Sequence, residues 1–199
     1  MKRLLSALLV CSLLLGLPVT SRALTVVPRS FDELVARADT VFQGTVSAQE
    51  SRWTGEGAER HIVTFVTFQV EQTLKGTAAA TQTLRFLGGT VGDTTLDVPD
   101  QPRFTVGQKA VLFVVNNGRQ FCPLVGVAQG RFHVVREAAT GRERILTDEE
   151  WPVVSTAELG RVDAAGRPTL RRYAHTNTPA LTAEEFKAQI LGQVAAQTR

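Results

Sequence analysis

The chain is poor in the residues from which catalytic and metal-binding sites are usually built. Its 199 residues include two cysteines, three histidines, one tyrosine and one methionine. The histidines, His61, His133 and His175, are too widely spaced to form a metal-ligand pair, and neither Cys-X-X-Cys nor His-Glu-X-X-His occurs. The pattern therefore gives no metal site. Cys11 lies in an N-terminal apolar run, which leaves Cys122 alone in the rest of the chain. No intrachain disulfide can staple that part, so the 43% hydrophobic content has to provide the core. Charge excess is also small. Of the 22 basic residues, Lys2, Arg3 and Arg22 fall within the first 23 positions, leaving 19 against 19 acidic residues beyond them. A neutral chain has no global field to attract a polyanion, and only 7% of its residues are aromatic, so nucleic-acid binding is not expected.

The first segment has the three parts of a secretory signal. Lys2-Arg3 is a positive start, Leu4 to Leu17 is uncharged with eight leucines, and Ser21-Arg22-Ala23 offers small residues for cleavage after Ala23. The run is shorter than the roughly 20 residues of a membrane-spanning helix. Val10 precedes Cys11 where lipoprotein processing wants a small residue. Nothing later is apolar enough to span a membrane. These features predict a signal peptide over 1–23 and a mature protein that is secreted or periplasmic, with no membrane span.

The remainder reads as mainly β. Ser30-Phe31-Asp32-Glu33 is a capping box opening a two-turn helix, with Phe31, Leu34 and Val35 on its inner side. Thr40 to Ser51 is a β-branched strand with a bend or bulge expected at Gly44, and residues 52–60 form a polar loop. Ile62 to Leu74 alternates, placing Ile62, Val66, Phe68, Val70 and Leu74 on one face. Thr83 to Leu87 turns Leu84 and Phe86 inward. Ala110 to Val115 is an apolar central strand, and Asn117-Gly118 is the turn to a partner running from Arg119 to Cys122. Arg131 to Arg136 and Glu143 to Leu146 form a second hairpin. Gly88-Gly89-Thr90-Val91-Gly92-Asp93 is glycine-rich but lacks a P-loop ending, dinucleotide spacing and a following helix, so it predicts a bend and no cofactor. Asp93, Asp97 and Asp100 do not match a calcium loop. Residues 147–181, broken by Pro152, Pro168 and Pro179, form an irregular arm or linker. Thr182-Ala183-Glu184-Glu185 caps a C-terminal amphipathic helix over 182–197 with a Phe186, Ile190, Leu191 and Val194 stripe, long enough to cover one barrel mouth. The expected architecture is a small antiparallel OB-like β-barrel over 24–146 with a short N-terminal helix, the arm and that final helix.

Four segments in order carry a family likeness: Ala38-Asp39-Thr40-Val41-Phe42-Gln43-Gly44-Thr45-Val46, then VTFQVEQTLKG at 66–76, then FTVGQKAVLFV at 104–114, then the isolated Cys122. This order resembles the netrin-like module of tissue inhibitors of metalloproteinases over residues 34–136. The resemblance implies an OB-fold and a protein-binding role. It does not bring the inhibitors' N-terminal Cys-X-Cys, because the expected mature start is Leu24-Thr25-Val26.

Two functional expectations come from different classes. The first is an exported, non-enzymatic binding module acting on another extracytoplasmic protein, for which the resemblance suggests a metalloprotease bound in an inhibitor or accessory role. Trp53 and the tip at Asn117, Gly118 and Arg119 are its candidate contacts, since Trp is enriched in interface hot spots. The second is a thiol-dependent hydrolase or redox protein in which His133 activates Cys122 from an adjacent strand. The paired carboxylates Glu149-Glu150 and Glu184-Glu185 point apart and form no acid–base dyad.

Overall fold

The computed structural model describes residues 27–197, so the leader, Cys11 and the expected cleavage after Ala23 lie outside the described residues. Helix α1 (Phe31–Arg37) opens as its sequence dictates. Glu33 N–H donates to the Ser30 hydroxyl, and the Glu33 carboxylate accepts from Ser30 N–H at 3.0 Å. Its Phe31, Leu34 and Val35 are buried.

Eight strands follow: β1 (Thr40–Thr54), β2 (His61–Lys75), β3 (Thr81–Leu87), β4 (Gly89–Val91), β5 (Thr94–Leu96), β6 (Lys109–Val114), β7 (Arg131–Arg136) and β8 (Glu143–Leu146). Six form one antiparallel sheet in the order β3-β2-β1-β6-β7-β8, and β4 pairs only with β5. The mainly β expectation holds, but the sheet does not close into a barrel, and β3 and β8 are its edges. Closure would need an extended strand against β3. Instead the chain turns after β6, with Arg119 N–H bonded to Asn116 O at 2.9 Å, and only one bridge, Val114 with Leu124, follows. The expected strand from Arg119 to Cys122 therefore does not form. Pro123 has no N–H to donate to a ladder. The loop meets β3 differently: the Asn117 amide bonds Arg85 N–H and Thr83 O, and Leu87 N–H donates to Phe121 O.

Apolar residues cover both faces of the sheet. One cluster gathers Phe42, Val46, Phe68, Leu84, Phe86, Phe104, Leu112 and Cys122. The other gathers Val41, Leu74, Val111, Phe113, Phe132, Val134 and Ile145 beneath α1 and the C-terminal segments. Leu74 therefore does not share the side of Val66 and Phe68. Register shifts between Val41 and Phe42 and between Gln43 and Gly44 insert extra residues into β2, and the end of the strand changes faces. These shifts also supply the irregularity expected at Gly44. In the stretch expected to be only a bend, β4 and β5 make a short hairpin around Gly92-Asp93.

The segment 147–181 is an arm applied to the sheet. Val153, Leu159, Leu170 and Ala180 are buried, all but Ala180 within the cluster beneath α1. Leu146 bridges to Pro152, and Ile145 N–H donates to Leu181 O. Helix α2 (Ala183–Gln197) is capped by Thr182, whose hydroxyl accepts from Glu185 N–H. It packs on α1, β2 and β8 and covers a sheet face, not a barrel mouth. Phe186 and Ile190 are fully buried, whereas Leu191 is 43% exposed, so the inward stripe is narrower than expected. Among the described residues no helix is long and apolar enough to cross a membrane.

Candidate functional site

The far end of the β1–β2 hairpin collects aromatic rings and guanidinium groups. Directly paired residues on neighbouring strands share a face. Trp53 pairs with Ile62, and Ser51 with Thr64, on one face; Arg52 pairs with Val63, and Glu50 with Phe65, on the other. On the second face the Arg52 guanidinium lies over the Phe65 ring at 4.1 Å. Phe65 is also the cross-strand partner of Arg85 on β3. Arg85 Nη2 is 3.0 Å from His61 Nε2, while His61 Nδ1 is 2.6 Å from the Glu59 carbonyl. A carbonyl only accepts, so Nδ1 carries the ring proton and Nε2 accepts from Arg85. On the first face the Arg60 guanidinium covers Trp53 at 4.5 Å, and Trp53 remains 37% exposed.

Of the sequence-predicted contacts, Arg85 bonds Asn117. Its backbone N–H donates to Asn117 Oδ1 at 3.1 Å, which ties the Asn117 loop to the sheet end carrying Trp53. Asn117 also donates to Thr83 O at 2.9 Å, so its amide holds the loop in place and is not a free contact group. Gly118 and Arg119 stand exposed at the tip, and Phe121 is 45% exposed beyond them. Among the described residues, Arg52, Arg60, Arg85 and Arg119 pair with no carboxylate. The nearby acids Glu50, Glu56 and Glu59 are exposed. Sequence reading did not single out Phe65, Arg85 and Phe121 at this end of the sheet. Alternation from Arg52 to Trp53 marks two faces, but which residues lie opposite depends on strand register.

Cys122 and His133 are both buried. Cys122 is 2% exposed, and burial pushes its thiol up to about 11, so it stays protonated at neutral pH. His133 is also buried, and its Nδ1 is 2.9 Å from Gln108 Nε2. Burial, then the Arg131 charge, hold the imidazole below its ordinary value and keep it neutral. No hydrogen bond joins it to the thiol.

Two further concavities exist. A cleft of about 430 Å³ lies where the arm meets α1 and is lined by Leu34, Arg131, Phe132, Asp148, Trp151 and Leu159. Arg131 is buried there; its Nε donates to Asp148, its Nη1 donates to the Arg103 carbonyl, and its guanidinium lies 4.8 Å from the Phe104 ring centre. A second pocket of about 490 Å³ lies beneath the β4–β5 hairpin. Among the described residues no cluster of three or more His, Cys, Asp or Glu side chains is placed to hold a metal. Asp97 pairs with Arg103 at 2.8 Å.

Comparison with known proteins finds no matching family model, and no curated protein or solved structure with significant similarity.

Proposed function

We propose that this protein is an exported, non-enzymatic binding module that docks on an extracytoplasmic protein through the end of the sheet carrying Trp53. One observation carries the reading: four arginines with no carboxylate partner ring this end of the sheet, Arg60 on exposed Trp53 at one face, Arg52 and Arg85 with half-exposed Phe65 at the other, and Arg119 near exposed Phe121 on the loop bonded to β3. Aromatic and Arg side chains dominate binding hot spots, and a guanidinium with no carboxylate partner can take an acidic group from another surface. The preferred partner is therefore a protein with a locally acidic face. The netrin-like resemblance suggests a secreted metalloprotease, and the leader composition supports export. The buried, protonated Cys122 gives no support to the thiol-enzyme alternative.

Trp53→Ala is expected to weaken binding to the partner by roughly 30-fold, the scale of one hot-spot residue of about 2 kcal/mol. Arg85→Ala should weaken it as well. Surface plasmon resonance on the partner recovered from the extracytoplasmic fraction measures this, alongside thermal unfolding of each variant. Unchanged affinity in both variants would reject this surface.

A further inference from the structure

The pocket beneath the β4–β5 hairpin is built differently from the Trp53 surface. Its only charged lining residues are Asp97 and Arg103, which pair with each other. The pocket is therefore formally neutral, and its polar groups are hydroxyls, amides and backbone atoms. Gly89 crosses directly over Ser51 and Thr64. A Cβ there would run into both hydroxyls, and the φ of 129° lies where only glycine is unstrained. The glycine pair at 88–89 lets the hairpin close over hydroxyl groups.

Thr64 Oγ1 donates its single proton to the Gly88 carbonyl at 2.7 Å. The Ser51–Thr64 contact at 2.8 Å must then run from Ser51 to Thr64. Ser51 Oγ is left with lone pairs only, as an acceptor for an incoming O–H. Thr90 and Thr95 share one bond at 3.0 Å, so one of their two protons is unspent. The Gln49 amide and the Thr105 hydroxyl line the same pocket and bond to no other described residue. The pocket bottoms out on the core, where Val66 and small exposed parts of Phe86 and Phe104, 4% and 8% accessible, form an apolar base.

Donors and acceptors side by side above an apolar base, without net charge, match the chemistry of a sugar ring. Its hydroxyls both donate and accept, and its C–H face is apolar. A volume of about 490 Å³ lies in the range of small-molecule sites, roughly 300–1,000 Å³. We propose that this pocket binds a neutral polyhydroxylated ring, one hexose unit of a glycan. The site is independent of the proposed protein-docking surface and goes beyond it.

The test is a backbone amide NMR titration of the full mature chain with maltotetraose, cellotetraose and chitotetraose. At least one neutral tetraose should shift the amides of Gly88, Gly89, Thr90 and Thr95 saturably at millimolar concentration. Ser51→Ala should weaken that binding by about tenfold, the effect of one lost hydrogen bond. Trp53→Ala should leave it unchanged, which separates this site from the docking surface. No saturable shift with any of the three would overturn the proposal. So would tighter binding of the charged tetragalacturonate, or shifts confined to residues outside the pocket.

Discussion

Replacing Phe186 with alanine is expected to remove about 3–5 kcal/mol of folding stability, the usual cost of emptying a large buried aromatic site. Phe186 is fully buried, and its ring centre lies 4.9 Å from Phe132, 5.9 Å from Phe31 and 6.5 Å from Phe113. These partners come from β7, α1 and β6, so one side chain of α2 ties both helices to the sheet. The chain has no intrachain disulfide among its described residues, so little else offsets the loss. Urea unfolding followed by circular dichroism measures the effect. Leu191→Ala on the same helix, at 43% exposure, serves as the control and should change stability by less than about 0.5 kcal/mol. Equal effects from the two substitutions would mean that α2 is not docked through Phe186.

The buried ion pair predicts a loss of similar scale through a different mechanism. The Arg131 side chain is 6% exposed and that of Asp148 is 18% exposed. Arg131→Met leaves the carboxylate without its partner, and Asp148→Ala leaves a buried guanidinium. Each should cost about 3 kcal/mol, at the lower end for broken buried pairs because Asp148 retains some contact with water. Arg131→Met also removes the bond to the Arg103 carbonyl and the stacking on Phe104, which hold the loop before β6. The double variant should be distinctly more stable than the sum of the two losses, because it leaves no unpaired charge. Additive losses in the urea midpoints would show that the two side chains do not depend on each other.

Local signals made much of the fold legible. Ser30 with Glu33, and Thr182 with Glu185, announced both helix starts, since a capping box is complete within four residues. The alternation in β2 and β3 and the turn between β7 and β8 were readable for the same reason. Failures came where distant parts of the chain decide the outcome. Leu74 changes face because of register shifts against β1 that leave no mark in the β2 pattern. The three-residue strands β4 and β5 are too short for a period, although Gly92-Asp93 between β-branched residues was a usable turn signal. The barrel does not close because an Asn117 side chain, 32 to 34 residues away in sequence, takes the place of a strand at the β3 edge. Trp53 could be chosen from its residue type alone. Phe65, Arg85 and Arg52 meet on the opposite face of the same sheet end only through pairings across β1, β2 and β3, so no single stretch of sequence displays them together.

The most direct test of the docking surface is site-specific photo-cross-linking in the exported protein. A photoreactive residue would be placed in turn at positions 53, 119 and 121, and at Val162 and Leu191, which are 44% and 43% exposed elsewhere on the molecule. The account predicts one discrete protein adduct common to positions 53, 119 and 121 and absent from 162 and 191. Adducts at the two control positions with none at 53, 119 or 121 would contradict it.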